Sequence, residues 1–154
     1  MIKKLIKAIK RSNEILGLNQ RGLYFIRPYN LKHAKKIADN KLLSKKYLSK
    51  AAIPVPKTIK VFKNYSDVES YDFETLPKSF VIKPSKGARG GGIEIIFNRN
   101  KENKWIGASG KKYTITDLKA LAKDIIDGRY SLFNQSDYVL IEERVKTQIG
   151  RAHV

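Results

Sequence analysis

The chain has 154 residues, 42% apolar and 10% aromatic, which suits one domain or two small lobes and is too apolar for a disordered polymer. It has no Cys, so disulfides and thiolate metal sites are excluded, and no apolar run approaches the roughly 20 residues that span a bilayer. The net charge of +18 invites a polyanion partner, but the lysines are spread along the whole chain with no zinc-finger or RNA-recognition signature, so no specific nucleic acid is expected.

The start, "MIKKLIKAIKRSNEILGLN", is too broken by Lys for a signal peptide, and a cytoplasmic protein follows by default. Ile2, Leu5, Ile6 and Ile9 recur at helical spacing, so residues 1–17 are read as a basic amphipathic helix that packs on the rest. Adsorption to a membrane surface is the alternative for it, weakened by a short stripe without Trp or Phe. "YFIRPYN" (24–30) is expected to be extended or turning, because Pro28 biases Arg27 away from helix.

Asp39 or Asn40 can cap a helix that carries Leu42, Leu43, Tyr47 and Leu48 on one side and ends before Pro54 and Pro56. "TIKVF" (58–62) reads as a strand, and "SDVE" (66–69) has the spacing of a capping box opening a short helix. "SFVIK" (79–83) and "GIEIIF" (92–97) are strands, and "NRNKENK" (98–104) is a polar turn leading to Trp105. Residues 116–127 form an amphipathic helix with Leu118, Leu121, Ala122, Ile125 and Ile126 inward, closed by Gly128. "YVLIEERV" (138–145) begins as a buried strand and turns acidic. Trp105 and the tyrosines are assigned to the core, and His33 and His153 are too isolated for a metal site. The pattern is α/β (α+β), with helices packed on a mixed sheet.

Between two of these strands lies "KPSKGARGGG" (83–92), four glycines and three cations where a hairpin needs only a short turn. Backbone N–H groups of such a loop can converge on an anion because no Cβ blocks the approach. Lys83 would be a fixed cation at its base, and Lys86 and Arg89 mobile ones, a set suited to a di- or triphosphate. Neither the Walker A pattern nor G-x-G-x-x-G is present, and on composition alone a flexible hairpin explains the glycines equally well.

"ADNKLLSKKYLSKAAIPVPKTI", "FVIKPSKGARGGGI" and "YVLIEERV", in that order, resemble the opening half of an ATP-grasp ligase. The nearest likeness is to the alpha-L-glutamate-ligase-like, or sugar-transfer-associated ATP-grasp, group, and it covers roughly residues 19–147. The resemblance implies that Lys41 reaches the nucleotide phosphates, with Asn40 where the family usually has Asp. It implies that Lys83 touches the α-phosphate and the adenine side. Ser85, Gly87, Arg89, Gly90, Gly91 and Gly92 would belong to the loop that closes over the β- and γ-phosphates. Glu142, Glu143 and Val145 would form the hinge that reads the adenine edge.

The resemblance further implies ATP and Mg²⁺ as cofactors, an acyl-phosphate mechanism, and a carboxylate substrate with an amine acceptor, neither of them identified. In the family the metal ligands lie in a larger C-terminal lobe, so residues 18–147 are expected to be an incomplete, inactive nucleotide-binding portion with an uncovered apolar face. "IGRAHV" (149–154) is what a sequencing adapter encodes when translated in frame, so residues 148–154 are expected to be a non-native tail. A non-catalytic basic module that binds nucleic acid or other polyanions is the competing reading.

Overall fold

The structure, a computed structural model, describes residues 17–87, 89–131 and 134–145. The expected helix over residues 2–16 and the expected tail at 148–154 lie outside the described residues. The chain divides into two compact units between Asp39 and Asn40.

The described part of the first unit is helical: Leu18–Gln20, Arg21–Ile26, Arg27–Tyr29 and Lys32–Ala38. The extended conformation expected for residues 24–30 is therefore corrected. Pro28 stands near the end of a helical run that is continuous from Leu18 to Tyr29, so its missing N–H and its ring must be accommodated by the turn before it. The turn before it is π-helical, with Arg27 N–H donating to Gly22 O, and the wider ring makes room for the pyrrolidine.

The second unit begins with helix α1 (Lys41–Lys50), capped by the Asn40 side chain, which accepts from Leu43 N–H at 3.0 Å. β1 (Thr58–Phe62) follows an extended segment holding Pro54 and Pro56. Helix α2 (Tyr65–Ser70) starts earlier than "SDVE" implied, because Asn64 takes the cap by accepting from Asp67 N–H. β2 (Phe80–Pro84), β3 (Glu94–Arg99), β4 (Trp105–Gly107) and β5 (Lys112–Tyr113) come next. Helix α3 (Ile115–Ile126) is opened by a capping box between Thr114 and Asp117, and Gly128 behind it takes φ +81°. β6 (Val139–Glu143) ends the described fold.

The strands form a six-stranded sheet in the order β1-β6-β2-β3-β4-β5. The class is α+β as expected, but the sheet is not mixed: each of its ladders is antiparallel. β6, the last described strand, is hydrogen-bonded on both edges, to β1 and β2, and Val139 to Glu142 are buried on both faces, so its apolar run does not alternate. β2 does alternate. Phe80 and Ile82 enter the core with Phe62, Ile96, Trp105 and Ile141, beneath Leu118, Ala122 and Ile125 of α3. Val81 and Lys83 fall on the opposite face, where Ile95 and Phe97 of β3 stay exposed. Trp105 is fully buried, as expected, edge-on to Phe80 at 6.3 Å. Of the tyrosines assigned to the core with it, however, only Tyr113 is buried among the described residues, and Tyr24, Tyr29, Tyr47, Tyr65 and Tyr138 are exposed.

One surface link joins α2 to α3: Glu69 pairs with Lys119 and Lys123, each at 2.7 Å. The two ammonium groups, Lys119 foremost, hold its carboxyl down at about 2 from the ordinary 4.5. A lowered folded-state value contributes stability above the unfolded pKa, and the contribution is lost as pH falls. Denaturant unfolding of wild type and Glu69→Gln across a pH series should therefore show a stability gap that closes between pH 4.5 and about 2. A gap of constant size would reject the assignment.

Candidate functional site

The antiparallel register of β2 and β6 sets Val81 directly opposite Glu142, with Lys83 diagonal to it on the same face. Glu142 is 1% exposed, and its two oxygens are each taken by a lysine. Lys83 Nζ lies 2.5 Å from Oε2, and Lys45 Nζ, reaching across from α1, lies 2.6 Å from Oε1. Lys45 also donates to Pro56 O at 2.5 Å and to Thr58 Oγ1 at 2.8 Å. The Glu142 side chain is thus held by two cations in this arrangement. The neighbouring Glu143 carboxylate accepts from Lys57 N–H at 2.8 Å.

The start of the glycine loop is tied to the start of α1. Lys41 N–H donates to Ser85 O at 2.9 Å, and the buried Ser85 hydroxyl donates to Asn40 Oδ1 at 3.0 Å. Asn40 therefore caps the helix and pins the loop with one oxygen. Lys41 Nζ donates to Gly87 O at 3.1 Å. Burial lowers the pKa of the Lys41 ammonium, and the charge of Lys83 adds to that, against the opposing pull of Asp137 and Glu142. Asp137, buried, accepts from Lys86 N–H at 2.7 Å and fixes the next residue. Farther out, Arg89 (φ 55°), Gly90 (φ +75°) and Gly92 (φ +70°) are left-handed, and Arg89 and Gly90 are exposed.

Beside this cluster a cleft of about 520 Å³ opens over the outward face of the sheet. Val81, Ile95, Phe97, Pro56 and Val145 supply apolar walls, while Lys83 and Glu142 stand at its polar side. Glu143 and Arg144 complete the lining, with the Arg144 guanidinium 4.7 Å from the centre of the Phe97 ring. A cleft of this size with a few convergent polar groups suits a small ligand. Its lining sets apolar walls beside two cations, Lys83 and Arg144, and two carboxylates, Glu142 and Glu143.

Of the residues singled out in the sequence, Lys41, Lys83, Ser85, Gly87 and Glu142 meet in or around one cluster, and Glu143 and Val145 line the cleft with Lys83 and Glu142. Arg89, Gly90, Gly91 and Gly92 occupy the outer loop, with Gly92 against the Tyr130 ring. Sequence reasoning missed Lys45, Asp137 and the Phe97–Arg144 pair. Lys45 had a readable signal, since it lies one helical turn beyond Lys41 and so on the same face. Among the described residues, no group of three or more His, Asp or Glu could hold a metal ion, so they offer no ready-made cluster of protein ligands for one.

A family model described as sugar-transfer associated ATP-grasp matches residues 20–149. No curated protein and no solved structure shows significant similarity.

Proposed function

The chain belongs to the sugar-transfer associated ATP-grasp family, and from that premise we propose that the cleft beside Lys83 binds ATP for an ATP-dependent carboxylate–amine ligase. The observation that carries this reading is one juxtaposition. A cleft of about 520 Å³ with apolar walls is lined by Lys83, while Lys41 and the glycine loop are fixed close to the same carboxylate cluster. In this reading adenine lies between Val81, Phe97 and Val145, with the backbone of residues 143–145 along its edge. The phosphates extend past Lys83 toward Lys41 and the loop of Ser85, Gly87, Arg89, Gly90, Gly91 and Gly92. Charged donors make hydrogen bonds to phosphate about twice as strong as neutral ones.

The reaction proposed is acyl activation. A carboxylate oxygen of the substrate attacks the γ-phosphorus, the bond from that phosphorus to the β–γ bridging oxygen breaks, and ADP leaves. An amine then adds to the carbonyl of the acyl phosphate, loses a proton, and expels inorganic phosphate. The family generally uses ATP with Mg²⁺, which when bound would neutralise phosphate charge; among the described residues no group of three or more His, Asp or Glu stands ready to hold it. Catalysis is therefore proposed to require residues beyond those described, and the described portion alone is expected to bind nucleotide without turnover. Among the described residues no helix is long and apolar enough to cross a membrane; cytoplasmic location is part of this proposal.

ATP or ADP is expected to raise the melting temperature of the 154-residue chain, and Lys83→Met to abolish that shift. The competing basic-module reading expects the reverse pattern: binding to any polyanion, falling steeply with salt and indifferent to Lys83. Protection that survives Lys83→Met would reject the nucleotide site drawn here.

A further inference from the structure

The two lysines on Glu142 are not equivalent. Lys45 makes three contacts, to Glu142 Oε1, Pro56 O and Thr58 Oγ1, which match the three N–H donors of an ammonium group. Lys83 lines the cleft, its side chain is 21% exposed, and among the described residues its ion-pair partner is Glu142. The site therefore holds two cations against one buried carboxylate, one cation saturated and one facing the ligand space.

We propose that Lys45 is a positioning residue that lets Lys83 exchange partners, leaving Glu142 for an anionic phosphate of the ligand while Lys45 keeps the buried carboxylate paired. This rests on the nucleotide reading of the cleft and adds to it the reason Lys83 is available. Without Lys45, moving Lys83 onto a phosphate would strand an uncompensated charge at a position 1% exposed, and Glu142 would hold Lys83 instead. Lys45 contributes to phosphate affinity without touching phosphate. The adenine end of the cleft should not register its loss.

The readout is the ratio of ATP to adenosine affinity, measured by calorimetry on the 154-residue chain. Lys45→Gln is expected to lower that ratio about tenfold, the scale of one charged hydrogen bond, while adenosine affinity holds. Lys45→Arg should keep the ratio, and Lys45→Gln combined with Glu142→Gln should restore it, because no carboxylate then competes for Lys83. If Lys45→Gln does not fold, Glu142→Gln alone decides: partner exchange expects a ratio at or above wild type, and a lower ratio overturns it. An unchanged ratio in folded Lys45→Gln, or equal loss of ATP and adenosine, also overturns it while the nucleotide site stands. Wild type that binds no ATP would remove both.

Discussion

Replacing Glu142 by Ala is expected to lower the free energy of unfolding by about 3–5 kcal/mol, the usual result of removing one partner from a buried ion pair. Glu142 is 1% exposed and sits on the strand between β1 and β2, so its carboxylate ties β2 to α1 through Lys83 and Lys45, and Lys45 carries the link on to Thr58 of β1. Without it, the ammonium groups of Lys45 and Lys83, whose side chains are 15% and 21% exposed, face each other with no counter-charge. Glu142→Gln, which keeps the volume and two polar atoms, should cost less. Urea unfolding checks this: the midpoint should fall with the slope unchanged. A loss under about 1 kcal/mol, the range of exposed pairs, would mean that both lysines are solvated and the cluster is a surface feature.

Much of the fold was legible because local physics decides it. The strands at 58–62 and 80–84 and the helix at 115–126 follow from apolar period, and Trp105 reached the core as its size demands. The direction of strand pairing was not legible, since β6 chooses its neighbours across a long sequence separation and no local residue encodes antiparallel order. Residues 24–30 misled because the rule for a residue before Pro assumes ordinary α geometry, and a π turn relieves the clash. The site divided in the same way. The cations and glycines of the loop stood out by composition, and only the family resemblance gave them a role, whereas Lys45 is one lysine among many until Glu142 is found beneath it. "VLIEE" carried a clue in hindsight: an acid inside a doubly covered strand must have a cation to meet.

The glycine loop gives the second large effect, because its glycines are constrained for different reasons. A Cβ on Gly87 would lie 2.1 Å from Pro84 Cγ and 2.9 Å from Pro84 Cβ. Pro84 cannot yield easily, being buried at the end of β2 with a rigid ring opposite Val139. Gly87→Ala must therefore push the loop outward, and with it the carbonyl that accepts from Lys41 and the bridge to Ser131. Overpacking of this kind costs about 1–3 kcal/mol, and ATP affinity should fall with it because the loop base is displaced. Gly90 is the control. Nothing lies within 4 Å of its Cβ position, so Gly90→Ala meets only the left-handed strain of φ +75°, about 1 kcal/mol, at an exposed tip. Chemical denaturation of the two variants, each with and without ATP, separates them. If Gly87→Ala proved as stable as Gly90→Ala and bound ATP as wild type does, the loop would not be seated on Pro84. A phosphate cradle anchored at Lys41 would then have no fixed base.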